Sequence, residues 1–197
     1  TASAIATHNG NHVAKNIIFM VPDGQGLSNV TAARIFKNGP NGEPLYQETL
    51  ENIGYQRTHS ANSTVTDSAA AASAWAVGEK FVNGEISCHS DGSGGCVDLK
   101  PTILELAAAM GKATGLVASS QISHATPAAF GPHVPTRGQG VEIARQYIEE
   151  VGVNVILGGG VYHADAEARQ NIIDSAIANG YIYAQNETQM NDAAAAG

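Results

Sequence analysis

Apolar positions along this chain follow two spacings. Short continuous apolar runs rich in β-branched residues are typical of strands buried on both faces of a parallel sheet. Between these runs, apolar residues recur every three or four positions, which predicts helices. The predicted strands are residues 15–21, 53–59, 114–119, 153–157 and 181–183. The predicted helices are residues 28–37, 68–78, 101–111, 140–151 and 164–179, and the closing residues 191–197 show no pattern.

Strands and helices alternate along the sequence. This order favours a layered α/β fold with a central, mostly parallel sheet. The 197 residues are enough for one domain with a sizeable core, so we expect a single α/β domain over residues 1–197. Within it, residues 79–97 are rich in Gly and Ser and are expected to form a surface insertion. Residues 1–14 are expected to be a processed, flexible N-terminus.

Composition narrows the classes of partner. The formal net charge of −8 argues against nucleic acid as a bulk partner, because phosphate backbones are bound by clustered Lys and Arg. No apolar run reaches the roughly 18 residues that span a bilayer, so we expect no membrane partner. An acidic protein of this kind still binds a single phosphate group wherever it offers a local cationic site.

The two cysteines indicate the compartment. Cys88 and Cys96 bracket a short Gly- and Ser-rich loop, and a disulfide that closes this loop is the simplest interpretation. A Cys-His-Cys metal site through His89 is the alternative, although it supplies only three ligands. The sequence also starts at Thr1 with small polar residues, which is typical of a processed or trimmed end. A disulfide and a processed end together predict a periplasmic or secreted protein.

Polar residues that suit phosphate chemistry stand at three strand-to-helix junctions. They are Asp23 in Val-Pro-Asp-Gly-Gln-Gly, Asp67 with Ser68 ahead of an alanine run, and His124 with Thr126 followed by Arg137. Taken alone, the Asp67-Ser68 pair fits either a simple helix N-cap or an anion site on free N–H groups. A carboxylate for a hard cation, a hydroxyl nucleophile and an arginine fork are the groups that phosphoryl transfer requires.

The segments around these junctions resemble the alkaline phosphatases. The similarity runs from about Asn16 to Gly160 and consists of blocks in the family's order. These blocks are residues 16–26 (NIIFMVPDGQG), 65–74 (VTDSAAAASA), 101–105 (PTILE), 124–129 (HATPAA), 133–137 (HVPTR) and 157–160 (LGGG). The resemblance implies an α/β/α sandwich and the hydrolysis of small phosphate monoesters at alkaline pH.

Catalytic roles follow from the same resemblance. Ser68 would form a covalent phosphoserine intermediate. Asp67 would orient Arg137, and Arg137 would clamp two phosphate oxygens in a bidentate fork.

The resemblance also implies metal cofactors, namely zinc (two ions) and magnesium (one ion). Asp23 would bridge towards the magnesium and one zinc, Ser68 would face the zinc, and Thr126 would ligate the magnesium. His124 stands where one bacterial form of the family has Asp. Because imidazole is not an ideal magnesium ligand, we expect His124 to act through water or to alter the metal preference.

The family's remaining zinc ligands come from its C-terminal half, and nothing after Gly160 resembles them. His163 and Asp165 fit the exposed start of an ordinary helix better than a metal site. The chain therefore resembles the N-terminal portion of an alkaline phosphatase, and we expect these residues alone to be nearly inactive. Whether the protein forms a homodimer stays open.

Other functions remain as alternatives. One is another hydrolase of the wider superfamily, such as a phosphodiesterase, a sulfatase or a phosphomutase-like enzyme, and another is an inactive phosphate-binding fragment. A serine esterase is disfavoured because no Gly-x-Ser-x-Gly elbow surrounds Ser68.

Overall fold

The computed structural model describes residues 7–8 and 12–196. The chain forms two compact units, a smaller one of residues 2–58 and a larger one of residues 59–197. In the described part, no helix combines the length and the apolar character that crossing a bilayer would require. The expected N-terminal segment 1–14 falls mostly outside the described residues and stays a prediction.

The smaller unit contains one long helix and a short hairpin. Strand β1 (Thr7–His8) pairs antiparallel with β2 (His12–Val13), α1 spans Leu27–Asn38, and a 3-10 turn spans Tyr46–Thr49. The start of α1 is tied by the Gly26 N–H, which donates to Asn29 Oδ1 at 2.9 Å. The helix ends at Gly39, whose φ of 81° few other residues adopt. The predicted helix 28–37 is thereby confirmed.

The strands predicted at 15–21 and 53–59 are wrong. Neither run belongs to a strand or sheet of the described chain, and a β-strand exists only where its backbone groups form a ladder with a second strand. Side chains in the first run lie open, with Ile17, Ile18 and Met20 each more than 80% exposed. An apolar run alone therefore does not establish that a segment is paired as a strand.

The larger unit places helices around a parallel pair of strands. Strand β5 (Gly115–Gln121) pairs in parallel with β6 (Val155–Gly159), with Leu116 opposite Ile156. The predicted strands 114–119 and 153–157 are thus confirmed, each displaced by one or two residues. The helices of this unit are α2 (Ser68–Val77), α3 (Ile103–Ala109), α4 (Ala125–Ala128), α5 (Gly140–Gln146), α6 (Ala166–Ala178) and α7 (Glu187–Ala196). Helices on a parallel pair confirm the α/β class.

Helix α2 packs through alanine. Ala69, Ala72 and Ala76 have no exposed surface, and α2 contacts α4, where Ala128 is equally buried. Small side chains let the two helix backbones approach closely, and alanine also has the highest helix propensity. As predicted, α2 ends at Gly78, which adopts the left-handed conformation with φ 90°.

One helix start differs from the sequence pattern, and one helix end agrees with it. Pro101 lies before α3, because Thr102 is the N-cap and accepts from the Glu105 N–H at 3.2 Å. Helix α5 continues as a π-helical turn, Tyr147–Val151, so the predicted span 140–151 is confirmed.

Two segments near the end of the chain were predicted wrongly. Residues 181–183 form no strand; instead, the Tyr181 hydroxyl donates to the Val153 carbonyl at 2.7 Å and anchors a loop. Residues 191–196 belong to α7, because an alanine run favours helix even without an apolar stripe.

The segment 79–97 is less superficial than expected. Phe81 and Ile86 are essentially fully buried, and Ile86 exchanges two backbone hydrogen bonds of 3.1 Å with Val134. Beyond them, β3 (His89–Ser90) and β4 (Cys96–Val97) form a short antiparallel hairpin. The disulfide between Cys88 and Cys96 closes that hairpin, as the sequence predicts.

A half-buried ion pair joins α3 to the loop before α5. His133 Nε2 lies 3.0 Å from Glu105 Oε2, and His133 Nδ1 contacts the Ser87 carbonyl. Burial lowers the pKa of His133, but the carboxylate and the carbonyl outweigh it and raise the pKa above its usual range. Burial raises the pKa of Glu105, yet bonds from His133 and the Thr102 N–H more than offset this and leave it lowered. Two acceptors on one imidazole favour the protonated ring.

We predict that this pair makes stability fall towards alkaline pH. The raised pKa of His133 means that its contribution is full below its unfolded value of about 6.5 and is lost as pH rises through the folded value. The lowered pKa of Glu105 removes its contribution only in acid. Glu105→Gln should therefore lower the free energy of unfolding by about 1–2 kcal/mol at pH 6 and by clearly less at pH 9, measured by urea denaturation.

Glu142→Gln is the matched control. Its partner Arg145, bonded at 2.6 Å, does not titrate in this range, so its cost should be equal at both pH values. An equal cost for Glu105→Gln at pH 6 and pH 9 would contradict the assignment.

Candidate active site

The first turn of α2 carries Asp67 and Ser68. Asp67 is the N-cap, and its Oδ1 accepts from the Ala70 N–H at 2.9 Å, while Ser68 is the first helical residue. The second carboxylate oxygen, Oδ2, points away from the helix and accepts from the Gly84 N–H at 3.1 Å. The cap interpretation of Asp67 is therefore correct, and it leaves the Ser68 hydroxyl at the positive end of a ten-residue helix.

Arg137 joins this helix start from far along the sequence. Its Nη1 donates to Asp67 Oδ2 and to Ser68 Oγ, both at 3.0 Å. Its Nη2 lies 3.2 Å from His124 Nε2. Because a guanidinium only donates, the imidazole nitrogen is the acceptor in this contact. The structure thus brings together four of the predicted site residues, Asp67, Ser68, His124 and Arg137.

A pocket opens beside Arg137 at the carboxyl ends of β5 and β6. His124 follows β5 as the N-cap residue of α4, and it lines the pocket with Ser123, Ala125, Arg137 and Tyr162. Ser123 is fully buried, and its Oγ accepts from the Tyr162 N–H at 2.7 Å, which ties the turn after β6 to the turn after β5. Ligands of open α/β sheets bind at this edge.

Two predicted metal ligands are placed differently. Thr126 lies half-buried within α4, two residues beyond His124. Asp23 belongs to the smaller unit, in a turn where the Gln25 N–H donates to the Pro22 carbonyl at 3.1 Å and Gly24 has a φ of 71°. A turn therefore leads into α1 at this junction, whereas the role of Asp23 beside Ser68 stays a prediction.

The donor atoms around Arg137 do not form a metal centre by themselves. Across residues 7–8 and 12–196, no group of three or more His, Cys, Asp or Glu side chains stands close enough to hold an ion. Asp67 and His124 are also already bonded to Arg137. A hydroxyl, a carboxylate and an imidazole make part of a donor set, and a bound metal would need further ligands. Asp165 is no candidate, since it caps α6 by accepting from the Ala168 N–H at 2.8 Å.

Sequence reasoning missed one contributor to the site, the dipeptide Asn83–Gly84. Asn83 Oδ1 accepts from the Asp67 N–H at 3.1 Å, and the Gly84 carbonyl accepts from the Arg137 N–H at 2.7 Å. Asn-Gly is a strong turn signal, so a turn here could have been predicted. Its partners could not, because they lie 16 and 53 residues away.

The arrangement suits an anion. A permanently charged guanidinium faces a hydroxyl at a helix N-terminus, so an oxyanion that bonds Arg137 would lie close to Ser68 Oγ. Asp67 fixes the guanidinium and leaves its remaining N–H groups for a ligand.

We predict that Asp67→Ala costs more stability than loss of a helix cap alone. The substitution removes the cap of α2 and also leaves Arg137 without its carboxylate, for a total of about 2 kcal/mol. Asp165→Ala is the matched control, since it removes an aspartate cap that has no arginine on it, at about 1 kcal/mol. Equal losses in urea denaturation would show that the Arg137 contact contributes nothing to the fold.

Comparison with known proteins identifies the family of this chain. The family model described as alkaline phosphatase matches residues 14–196. Alkaline phosphatase 3 of Bacillus subtilis is 38% identical over 96% of this chain and 42% of its own length. The chain thus spans less than half of that relative.

Solved structures show the same fold. Alkaline phosphatase from the Antarctic bacterium TAB5 matches with a TM-score of 0.69 and 32% identity, over 86% of this chain and 48% of that one. A mutant of the TAB5 enzyme with Mg bound matches with a TM-score of 0.68 and 33% identity, over 84% of this chain and 46% of that one. These matches confirm the α/β architecture and the sequence resemblance, and the chain belongs to the alkaline phosphatase family.

Proposed function

We propose that the protein hydrolyses small phosphate monoesters at alkaline pH through attack of Ser68 on phosphorus. One observation carries this: Ser68 Oγ and Asp67 Oδ2 share the same nitrogen of Arg137, each at 3.0 Å. A nucleophile and an anion clamp are thereby held within bonding distance of each other. Membership of the alkaline phosphatase family supports the reaction class.

Arg137 binds and orients the phosphoryl group. Its fork donates to two of the equatorial oxygens, and Asp67 keeps the guanidinium plane facing the start of α2. His124 holds the second terminal nitrogen through Nε2 and so fixes the other edge of the plane. A phosphoryl group whose oxygens bond Arg137 would thus have its phosphorus close to Ser68 Oγ.

The reaction consists of two displacements on phosphorus. The Ser68 Oγ–P bond forms as the ester P–O bond breaks, and the alcohol leaves with a proton equivalent to the one that Ser68 loses. Water then attacks the phosphoserine, releases inorganic phosphate and returns the proton to Ser68. Arg137 stabilises the equatorial charge in both steps.

Divalent metals complete the proposed site. When bound, they supply positive charge that lowers the pKa of the attacking hydroxyl and stabilises the departing oxygen. We assign Asp23, Ser68, Thr126 and His124 as the ligands that this chain would contribute to two zinc ions and one magnesium ion. Carboxylate and hydroxyl oxygens suit magnesium, and imidazole suits zinc. Mg in the related TAB5 mutant supports a metal requirement in this family.

The location, substrates and oligomeric state of the proposed enzyme are part of the same proposal. The Cys88–Cys96 disulfide fits a periplasmic or secreted location. The net charge of −8 disfavours bulk nucleic acid, so small phosphate monoesters are the proposed substrates, and a homodimer is compatible with the family. A phosphodiesterase, a sulfatase and a non-catalytic phosphate binder are outcomes that the experiments below separate.

Ser68→Ala should abolish phosphoenzyme formation. In the full-length protein that carries this chain, acid quenching with a radiolabelled phosphate monoester should trap label on Ser68 in the wild type and none in the variant. Turnover should fall by roughly 10³-fold or more, because nucleophile loss removes the covalent route. Ser73→Ala is the control, since Ser73 lies on the same helix but is buried away from Arg137. Label that persists in Ser68→Ala would contradict the proposal.

Removal of metals should abolish hydrolysis. Dialysis against a chelator should stop turnover of a chromogenic phosphate monoester, and zinc with magnesium should restore it. The isolated 197 residues should turn over little even with both metals, because their described part holds only part of a donor set. Turnover that survives complete metal removal would overturn the metal assignment. Preference for a diester or a sulfate ester would instead favour the alternative hydrolases.

A further inference from the structure

The segment Asn83–Gly84 contacts both halves of the candidate site. It lies between α2 and the disulfide hairpin, and it carries no group that would react with a phosphate ester. Its polar atoms nevertheless bond the nucleophile turn, residues 65–68, on one side and Arg137 on the other.

Asn83 holds the nucleophile turn through its side chain. Its Oδ1 accepts from the Asp67 N–H at 3.1 Å, and its Nδ2 donates to the Val65 carbonyl at 3.0 Å. Its own N–H donates to Asn62 Oδ1 at 3.0 Å, which ties it to the start of the same loop. One amide therefore bonds two peptide groups that precede Ser68, and it restrains the turn that leads into α2.

Gly84 holds Asp67 and Arg137 together through its backbone. Its N–H donates to Asp67 Oδ2 at 3.1 Å, and its carbonyl accepts from the Arg137 N–H at 2.7 Å. The Arg137 side chain returns to Asp67 Oδ2 at 3.0 Å, which closes a ring of hydrogen bonds. The glycine has a φ of 95°, which residues with a side chain rarely adopt.

Because Asn83 is exposed, its effect on the position of the nucleophile turn can be distinguished from its effect on the stability of the fold. The residue is solvent-exposed, so its hydrogen bonds add little to the free energy of folding. Their directions still restrict the nucleophile turn, since two bonds to one planar amide fix both distance and angle. A 1 Å displacement of a reacting group costs far more in rate than in stability.

We propose that Asn83–Gly84 is a positioning segment that sets the distance between the Ser68 hydroxyl and the Arg137 guanidinium. Asn83 places the nucleophile, and Gly84 places the arginine. This inference rests on the proposed function, because the reaction at Ser68 is what the segment would position for.

Asn83→Ala tests the first half. The full-length protein should keep its melting temperature within a few degrees and its inhibition constant for inorganic phosphate within about twofold, because Gly84 and Arg137 are intact. Single-turnover phosphorylation of Ser68, followed by acid quenching, should slow by about 10- to 100-fold. A purely structural role would lower the melting temperature and leave the phosphorylation rate of the folded fraction unchanged, and that result would overturn the inference for Asn83.

Gly84→Ala and Gly92→Ala test the second half as a matched pair. Both glycines have positive φ, 95° and 77°, and at both a Cβ would meet no atom within 4 Å. The backbone strain of the two substitutions is therefore comparable. Gly84→Ala should weaken inhibition by inorganic phosphate about tenfold by turning the N–H and carbonyl away from Asp67 and Arg137. Gly92→Ala, in the disulfide loop, should leave it unchanged.

The outcomes separate this inference from the proposed function. If Ser68→Ala still traps label, the proposed function fails whatever Asn83 does. If Ser68→Ala loses the label while Asn83→Ala phosphorylates at the wild-type rate, the positioning role of Asn83 fails alone. Equal phosphate inhibition in the Gly84→Ala and Gly92→Ala proteins would refute the role of Gly84.

Discussion

The carboxylate of Asp67 is the group on which the candidate site depends. One of its oxygens caps α2 at Ala70, and the other accepts from both Gly84 and Arg137. The same side chain therefore decides where the helix starts, where the hydroxyl of Ser68 stands and which way the guanidinium faces. A cap and an anion site are usually treated as competing interpretations of such a residue. Here one oxygen caps the helix and the other bonds Arg137, so the cap does not exclude the proposed anion site.

Local signals in the sequence were sufficient for elements whose causes are local. Helix α2 was predictable because a polar pair precedes alanines and a glycine follows them, and these features act within a few residues. The parallel strands β5 and β6 were predictable as apolar runs between helices. The run at residues 15–21 has the same appearance, yet it is not part of any strand in the described chain. Pairing depends on a second segment, and no pattern within one run specifies it.

The candidate site likewise contains residues that the sequence predicted and residues that it did not. The family resemblance pointed to Asp67, Ser68, His124 and Arg137, and the structure brings these four together across about 70 residues of sequence. Composition or periodicity alone would not have joined them, since neither carries information on contacts of that range. Asn83 and Gly84 were missed because their contribution is made by an amide and a peptide group. Those groups are chemically ordinary, and only their placement distinguishes them.

The buried alanines of α2 fix how closely this helix packs against the core, and therefore where Ser68 lies. A long side chain absorbs a small displacement by changing rotamer, whereas the methyl groups of Ala69, Ala72 and Ala76 have no torsion with which to adjust. Added side-chain volume at these positions shifts the backbone of α2, and Ser68 moves with the helix. The distance between the Ser68 hydroxyl and the Arg137 guanidinium consequently depends on the packing of the core as well as on the contacts within the site. Substitutions of these buried alanines would therefore change the rate of the proposed reaction at Ser68, although none of them would contact a bound phosphate.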